Sequence, residues 1–190
     1  MELNNIVKEI EKRLSPSRFS HVMSVASFAK EVARANNIDE DDAYLAGILH
    51  DVAKCYDDNT LKEKYIIPYL PEYLSYPSFS YHAYVGAYIA KNEFDIEDEN
   101  ILKAIANHCL VTLSMGRLEK LIYLSDKVEP TRKFKDVFDD VRKMCYVDID
   151  KAFIMLLEKQ NEYLLKSNRK VDESLLKAIE YYKKEEKNER

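Results

Sequence analysis

Apolar residues recur at three- and four-residue steps along almost the whole chain, the spacing of one buried helix face. Leu3, Ile6, Val7, Ile10 and Leu14 mark a first amphipathic helix. Ser15-Pro16-Ser17 breaks it, and a second helix carries Val22, Val25, Ala26, Ala29 and Val32 on its buried side before ending near Asn36-Asn37. Asp39 stands where an N-cap belongs, followed by acidic residues, for a third helix through Leu45, Ile48, Leu49 and Val52. Pro68, Pro71 and Pro77 interrupt residues 54–79, which read as short helices and loops over the core surface. Ser80 opens a helix through Ala90, and Ile96 to His108 makes another. A loop at 109–116 precedes a helix from about Arg117 to Glu129, stopped by Pro130. Segments near 134–146, 149–166 and 172–186 complete an all-α chain, and the charged Lys183 to Arg190 frays. No repeat, linker or composition shift divides residues 1–190, so one helical domain is expected.

Composition narrows the functional classes. With 3 Gly and 5 Pro in 190 residues, too few turn-formers are present for a many-stranded sandwich or barrel. The 29 Lys+Arg against 34 Asp+Glu, a net charge of −5, give no basic footprint for nucleic acid. The longest apolar run, Ala83 to Ala90, falls far short of a membrane span. Cys55, Cys109 and Cys145 are odd in number and lack CxxC spacing, so neither a disulfide framework nor a zinc ribbon fits. MELNNIVKEIEKRL has no signal-peptide core, and the expected setting is a cytoplasm with reduced thiols.

No Gly-rich phosphate loop or nucleophile elbow is present, and the chemistry falls to four histidines and two acids. His50 and Asp51 are adjacent at the end of the hydrophobic run YLAGILHDVAK. His21 lies early in the preceding helix, while His82 and His108 follow in later ones. Asp126 sits in LIYLSDKVEP, a mostly apolar helix in which a buried acid needs a partner. Each residue alone reads as a satisfied core histidine or an ion-paired acid. The ordered set His…His-Asp…His…His…Asp, each member on a different helix or helix end, is much harder to reach by chance. Imidazole and carboxylate donors without thiolate suit iron, manganese, cobalt or zinc.

RFSHVMSVASFA, LAGILHDVAK, SYHAYVGA, AIANH and LEKLIYLSDKVEPTRKF together resemble the HD-domain metal-dependent phosphohydrolases. More narrowly they resemble the bacterial YqeK family of symmetrical bis(5′-nucleosyl)-tetraphosphatases, over about Arg18 to Phe134. The resemblance implies an HD-domain bundle in which His21, His50, Asp51 and Asp126 surround one metal and His82, His108 and Asp51 the other. It implies iron, with manganese not excluded by the ligands, and a metal-activated water acting on diadenosine tetraphosphate to give two ADP, or a GDP-like product. Asp51 and Lys54 would be the catalytic residues, and a homodimer is compatible with the family. An HD phosphatase or phosphodiesterase on another nucleotide, or a nucleotide-binding regulator with weak turnover, are the alternatives.

Flanking cations fit an anionic substrate. Arg18 is three residues before His21, on the same helix face. Lys54 stands four after His50 and faces the same way if that helix persists, and Arg132 lies just beyond Pro130. By analogy with the family's corresponding loop, Cys55, Tyr56 and Asp57 would line the site mouth as further nucleotide contacts. After its fourth histidine the family tends to carry a Thr-Thr-Gly-Arg-like stretch, whereas Cys109-Leu110-Val111-Thr112 stands here, apolar and without a cation. Seven tyrosines between Tyr65 and Tyr88 suit packing at core boundaries better than base stacking.

Overall fold

The computed structural model describes residues 2–132, 135–167 and 173–188, and every regular element among them is helical. Phe134, where the family resemblance ends, and Val171-Asp172, ahead of the last helix, lie outside the described residues. Helix α1 (Leu3–Arg13) buries Ile6 and Ile10. Ser15 then caps α2 (Pro16–Ala35), with Pro16 in its first turn, where a missing N–H costs nothing. Asp39 caps α3 (Glu40–Leu49) by accepting the amides of Asp41 and Asp42, with three acids stabilised at the positive end of the helix.

The α2–α3 contact is the most intimate in the bundle. A Cβ on Gly47 would lie 2.6 Å from the Ala26 Cα, so two small residues let the backbones meet. Helix α3 does not continue to Val52. It ends at Leu49, Asp51 takes φ −107° and ψ 17°, and Val52–Cys55 forms a 3₁₀ turn. His50 and Asp51 therefore sit on a sharp bend rather than along one helix face.

Short pieces follow as expected: α4 (Asp58–Leu61), a π turn (Lys62–Ile66), α5 (Ile67–Tyr69), and 3₁₀ turns at Pro71–Ser75 and Ser78–Ser80. Their tyrosines stack on one another and on the next helix, with Tyr73 and Tyr84 ring centroids 3.8 Å apart. Helix α6 (Tyr81–Phe94) packs on the 52–55 turn and on α7 (Glu99–Ala106), which is shorter than its periodic pattern because Asp98 caps it late. Helix α8 (Arg117–Val128) touches α2, α7 and α10. Helices α9 (Asp139–Cys145), α10 (Ile149–Lys166) and α11 (Glu173–Asn188) close the bundle. From α11, Tyr182 accepts the Met115 amide at 2.8 Å and donates to the Thr112 carbonyl at 2.6 Å, pinning the loop after His108. Among the described residues no helix is long and apolar enough to cross a membrane.

Candidate metal centre

Five elements deliver the six predicted ligands to one place. His21 comes from α2, His50 and Asp51 from the bend after α3, His82 from α6, His108 from the end of α7, and Asp126 from the last turn of α8. His50, Asp51, His82 and His108 are at most 4% exposed. The donors form overlapping groups, each within 4.8 Å: His21, His50 and Asp126; His50, Asp51 and His108; and His82, His108 and Cys109.

The outer nitrogens of three of the four imidazoles are already committed, whereas buried His82 Nδ1 has no hydrogen-bond partner among the described residues. His50 Nδ1 donates to the Gly47 carbonyl and His108 Nδ1 to the Ile105 carbonyl, both at 2.7 Å. His21 Nδ1 donates to Glu129 Oε1 at 3.2 Å. For His21, His50 and His108 these bonds select the tautomer that turns the Nε2 lone pair inward. There His21 Nε2 meets Asp126 Oδ1 at 3.1 Å, His82 Nε2 meets His108 Nε2 at 3.2 Å, and Asp51 Oδ1 lies 3.4 Å from His82 Nε2. Among the described residues buried His50 Nε2 has no hydrogen-bond partner, and it lies 3.5 Å from Asp51 Oδ2 and 3.8 Å from Asp126 Oδ1. Acceptors turned towards acceptors at such spacing call for cations between them, so the donor set fits metal ions.

The electrostatics follow from this crowding. Burial opposes the charge on Asp51, but the imidazoles of His50 and His108 beside it hold its carboxyl well below the usual range. Asp126 is held down likewise, against burial, by the Lys127 charge and the His21 bond. Lys127 Nζ donates to Asp126 Oδ2 at 3.1 Å and to the His108 carbonyl at 2.7 Å, tying two ligand-bearing segments together. Glu129 is buried and held at about 2. Its burial penalty is outweighed by bonds from His21, from the Ser24 hydroxyl at 2.6 Å, and from the Thr131 amide and hydroxyl at 2.6 and 2.9 Å. Bonds to Asp126 and Glu129 raise His21 against its burial, while burial lowers His82.

Three of these participants escaped the sequence reading. Lys127 and Glu129 flank Val128 just ahead of Pro130 and have no place in the ordered His/Asp set. Cys109 lay in a loop expected to be apolar and was left out of a donor set thought to lack thiolate. In the structure its Sγ lies 3.2 Å from His82 Nε2 and 3.3 Å from His108 Nε2. Its adjacency to His108 was the available signal.

An open cleft of about 740 Å³, well within the range of small-ligand sites, runs up to this cluster and is walled by Arg18, His21, Lys127, Glu129 and Arg132. Arg18 Nη1 donates to Asp51 Oδ2 at 2.8 Å, and Arg132 Nη2 to Asp126 Oδ1 at 2.6 Å. Both guanidinium side chains remain 39% exposed. Lys54 is not brought in: α3 ends before His50, so the four-residue spacing no longer sets a common face. Lys54 is exposed, with no side-chain hydrogen bond or ion pair among the described residues. The Cys55 thiol donates to the Val52 carbonyl, Tyr56 packs on Tyr65, and Asp57 caps α4 through Thr60. None of the three is bonded to the histidine cluster among the described residues.

A helical bundle presenting His, His-Asp, His, His and Asp from successive elements defines a class. The HD-domain profile matches residues 18–131, and the chain belongs to the HD-domain family. It is 34% identical over 163 residues to the symmetrical bis(5′-nucleosyl)-tetraphosphatase of Bacillus subtilis strain 168, covering 85% of this chain and 87% of that protein. A Staphylococcus aureus protein of the same name is 31% identical over 186 residues, covering 96% and 95%. The crystal structure of a Clostridium acetobutylicum protein, described as a predicted HD superfamily hydrolase involved in NAD metabolism, superposes with a TM-score of 0.81. It is 26% identical, with 97% of this chain and 98% of that one covered.

Proposed function

We propose that the chain, acting as one unit over residues 1–190, is a cytoplasmic two-metal phosphohydrolase that splits diadenosine tetraphosphate symmetrically into two ADP. The inward convergence of four imidazoles and the Asp51 and Asp126 carboxylates at the foot of one cationic cleft carries this reading. Its substrate comes from the Bacillus subtilis and Staphylococcus aureus relatives, which are named for that activity. His21, His50 and Asp126 would hold one ion and His82 and His108 the other, with Asp51 between them. Iron or manganese at these positions would supply Lewis-acid polarisation of phosphoryl oxygens and acidification of water.

The chain's own residues prepare the reaction. Glu129 keeps the His21 proton on Nδ1, and the Gly47 and Ile105 carbonyls do the same for His50 and His108. Lys127 neutralises part of the carboxylate charge and fixes the end of α8 to the end of α7. Arg18 and Arg132 stand at the boundary between the acids and the cleft, where charge-assisted bonds to phosphate oxygens orient the polyphosphate. Water attacking a phosphorus beside the central bridging oxygen forms one P–O bond and breaks another, so each product leaves with two phosphates.

Elemental analysis of protein purified without chelator tests the assignment, with two transition-metal ions expected per chain. Asp51→Ala should lose most of both. Freshly prepared protein without metal, or Asp51→Ala with its full complement, would contradict it.

A further inference from the structure

Cys109 has a place in the site that the His/Asp pattern does not assign. We propose that its thiolate is a metal ligand, completing with His82, His108 and Asp51 a four-donor N₂SO set for the second ion. This rests on the two-ion reading above. Zinc-like bonds of about 2.0–2.3 Å at a tetrahedral centre put neighbouring donors about 3.3–3.6 Å apart. The triangle here measures 3.2 Å between His82 Nε2 and His108 Nε2, 3.2 Å from Cys109 Sγ to His82 Nε2, and 3.3 Å from Cys109 Sγ to His108 Nε2. Asp51 Oδ1 stands 3.4 and 3.7 Å from the two nitrogens. Independently, His50 Nε2 is fully buried without a hydrogen-bond partner beside the same Asp51 and His108, so the cluster is built around something other than its own hydrogen bonds.

Two consequences follow. A thiolate shifts this position towards zinc, cobalt or iron(II) and away from manganese or magnesium. With Asp51 shared, the second ion then has four protein donors, as many as the first has in His21, His50, Asp51 and Asp126. Of the four ligand histidines, His21 is the one that lines the cleft, with Arg18 and Arg132. On binding, the thiol proton leaves to solvent and the sulfur lone pair forms the new bond.

Cobalt(II) reconstitution reads this out without turnover. The native protein should bind two equivalents and show a sulfur-to-cobalt charge-transfer absorption in the near ultraviolet. Cys55→Ser should keep that band, and Cys109→Ser should lose it while retaining the visible bands of nitrogen- and oxygen-bound cobalt. Two equivalents bound with no charge-transfer band, or a band that survives Cys109→Ser, overturns the ligand role alone. No cobalt bound by the native protein overturns the two-ion reading and this inference with it. Alkylation of native protein by iodoacetamide, mapped by mass spectrometry, needs no variant: cobalt should protect Cys109, and equal labelling with and without cobalt contradicts the proposal.

Discussion

Gly47 couples bundle packing to the metal centre, so Gly47→Ala perturbs both. The added Cβ would sit 2.6 Å from the Ala26 Cα and 3.1 Å from its Cβ and N, against an ordinary carbon–carbon contact of about 3.5–4.0 Å. Its neighbours are mainly backbone, which cannot swing aside, so α2 and α3 must part by about 1 Å. Overpacking of this kind costs about 1–3 kcal/mol. Replacing glycine inside a helix returns about 0.5–1 kcal/mol. The net expectation is a loss of about 1–2 kcal/mol, or roughly 2–8 °C in Tm for a chain of this size. The same displacement reaches the ligands, because His21 rides on α2 and His50 Nδ1 is bonded to the Gly47 carbonyl itself. A misplacement of about 1 Å can cost on the order of a hundredfold in rate. The assay is thermal unfolding, metal content and kcat/KM on one preparation. Gly86→Ala is the control, since its Cβ would meet Ile105 Cγ2 at 3.3 Å and the His50 carbonyl at 3.4 Å, a milder contact. Gly47→Ala that unfolds with the native Tm and keeps its metal and rate would refute the reasoning.

Arg18→Ala and Arg132→Ala should each lower kcat/KM by about ten- to a hundredfold, in line with charge-assisted bonds of about 1.5–3 kcal/mol, whereas exposed Lys54→Ala should turn over like the native protein. Steady-state kinetics with metal analysis decides between these gripping roles and simple surface charge. Glu129 titrates near 2 when folded against an ordinary 4.5, so its contribution to stability is full above about 4.5 and disappears as pH falls through about 2. The stability gap between native protein and Glu129→Gln, from urea unfolding at a series of pH values, should therefore stay constant above that window and shrink within it. A gap that widens on acidification contradicts the assignment. Tyr182→Phe strands the buried Met115 amide and should cost about 1–3 kcal/mol by urea unfolding. A cost near zero would show that α11 does not anchor the loop after Cys109.

Legibility in the sequence followed the range of each interaction. Helix starts at Ser15, Asp39 and Asp98 depend on a side chain capping an amide two or three residues on; the sequence marks Asp39 as a cap and Ser15-Pro16-Ser17 only as a break. The late start of α7 was missed because apolar Ile96 continues the period ahead of the Asp98 cap. Helix α3 was overextended for the same reason: Ile48, Leu49 and Val52 keep helical spacing, yet the backbone turns at Asp51 to place two adjacent side chains against one cluster. That bend removed Lys54 from its expected face. The six His and Asp positions stood out as one ordered set, each member on a different helix or helix end. Glu129 did not, since its partner His21 lies 108 residues away, and Cys109, though it adjoins His108, meets His82, 27 residues away, only in the assembled bundle.

The central claim is tested most directly by the products formed from diadenosine tetraphosphate. Metal-replete protein incubated with this dinucleotide and resolved by ion-exchange chromatography should give ADP alone, two for each substrate consumed. Asp51→Ala under the same conditions should give none. ATP and AMP in equal amounts, or an unchanged dinucleotide peak with the native protein carrying both metals, would contradict the account.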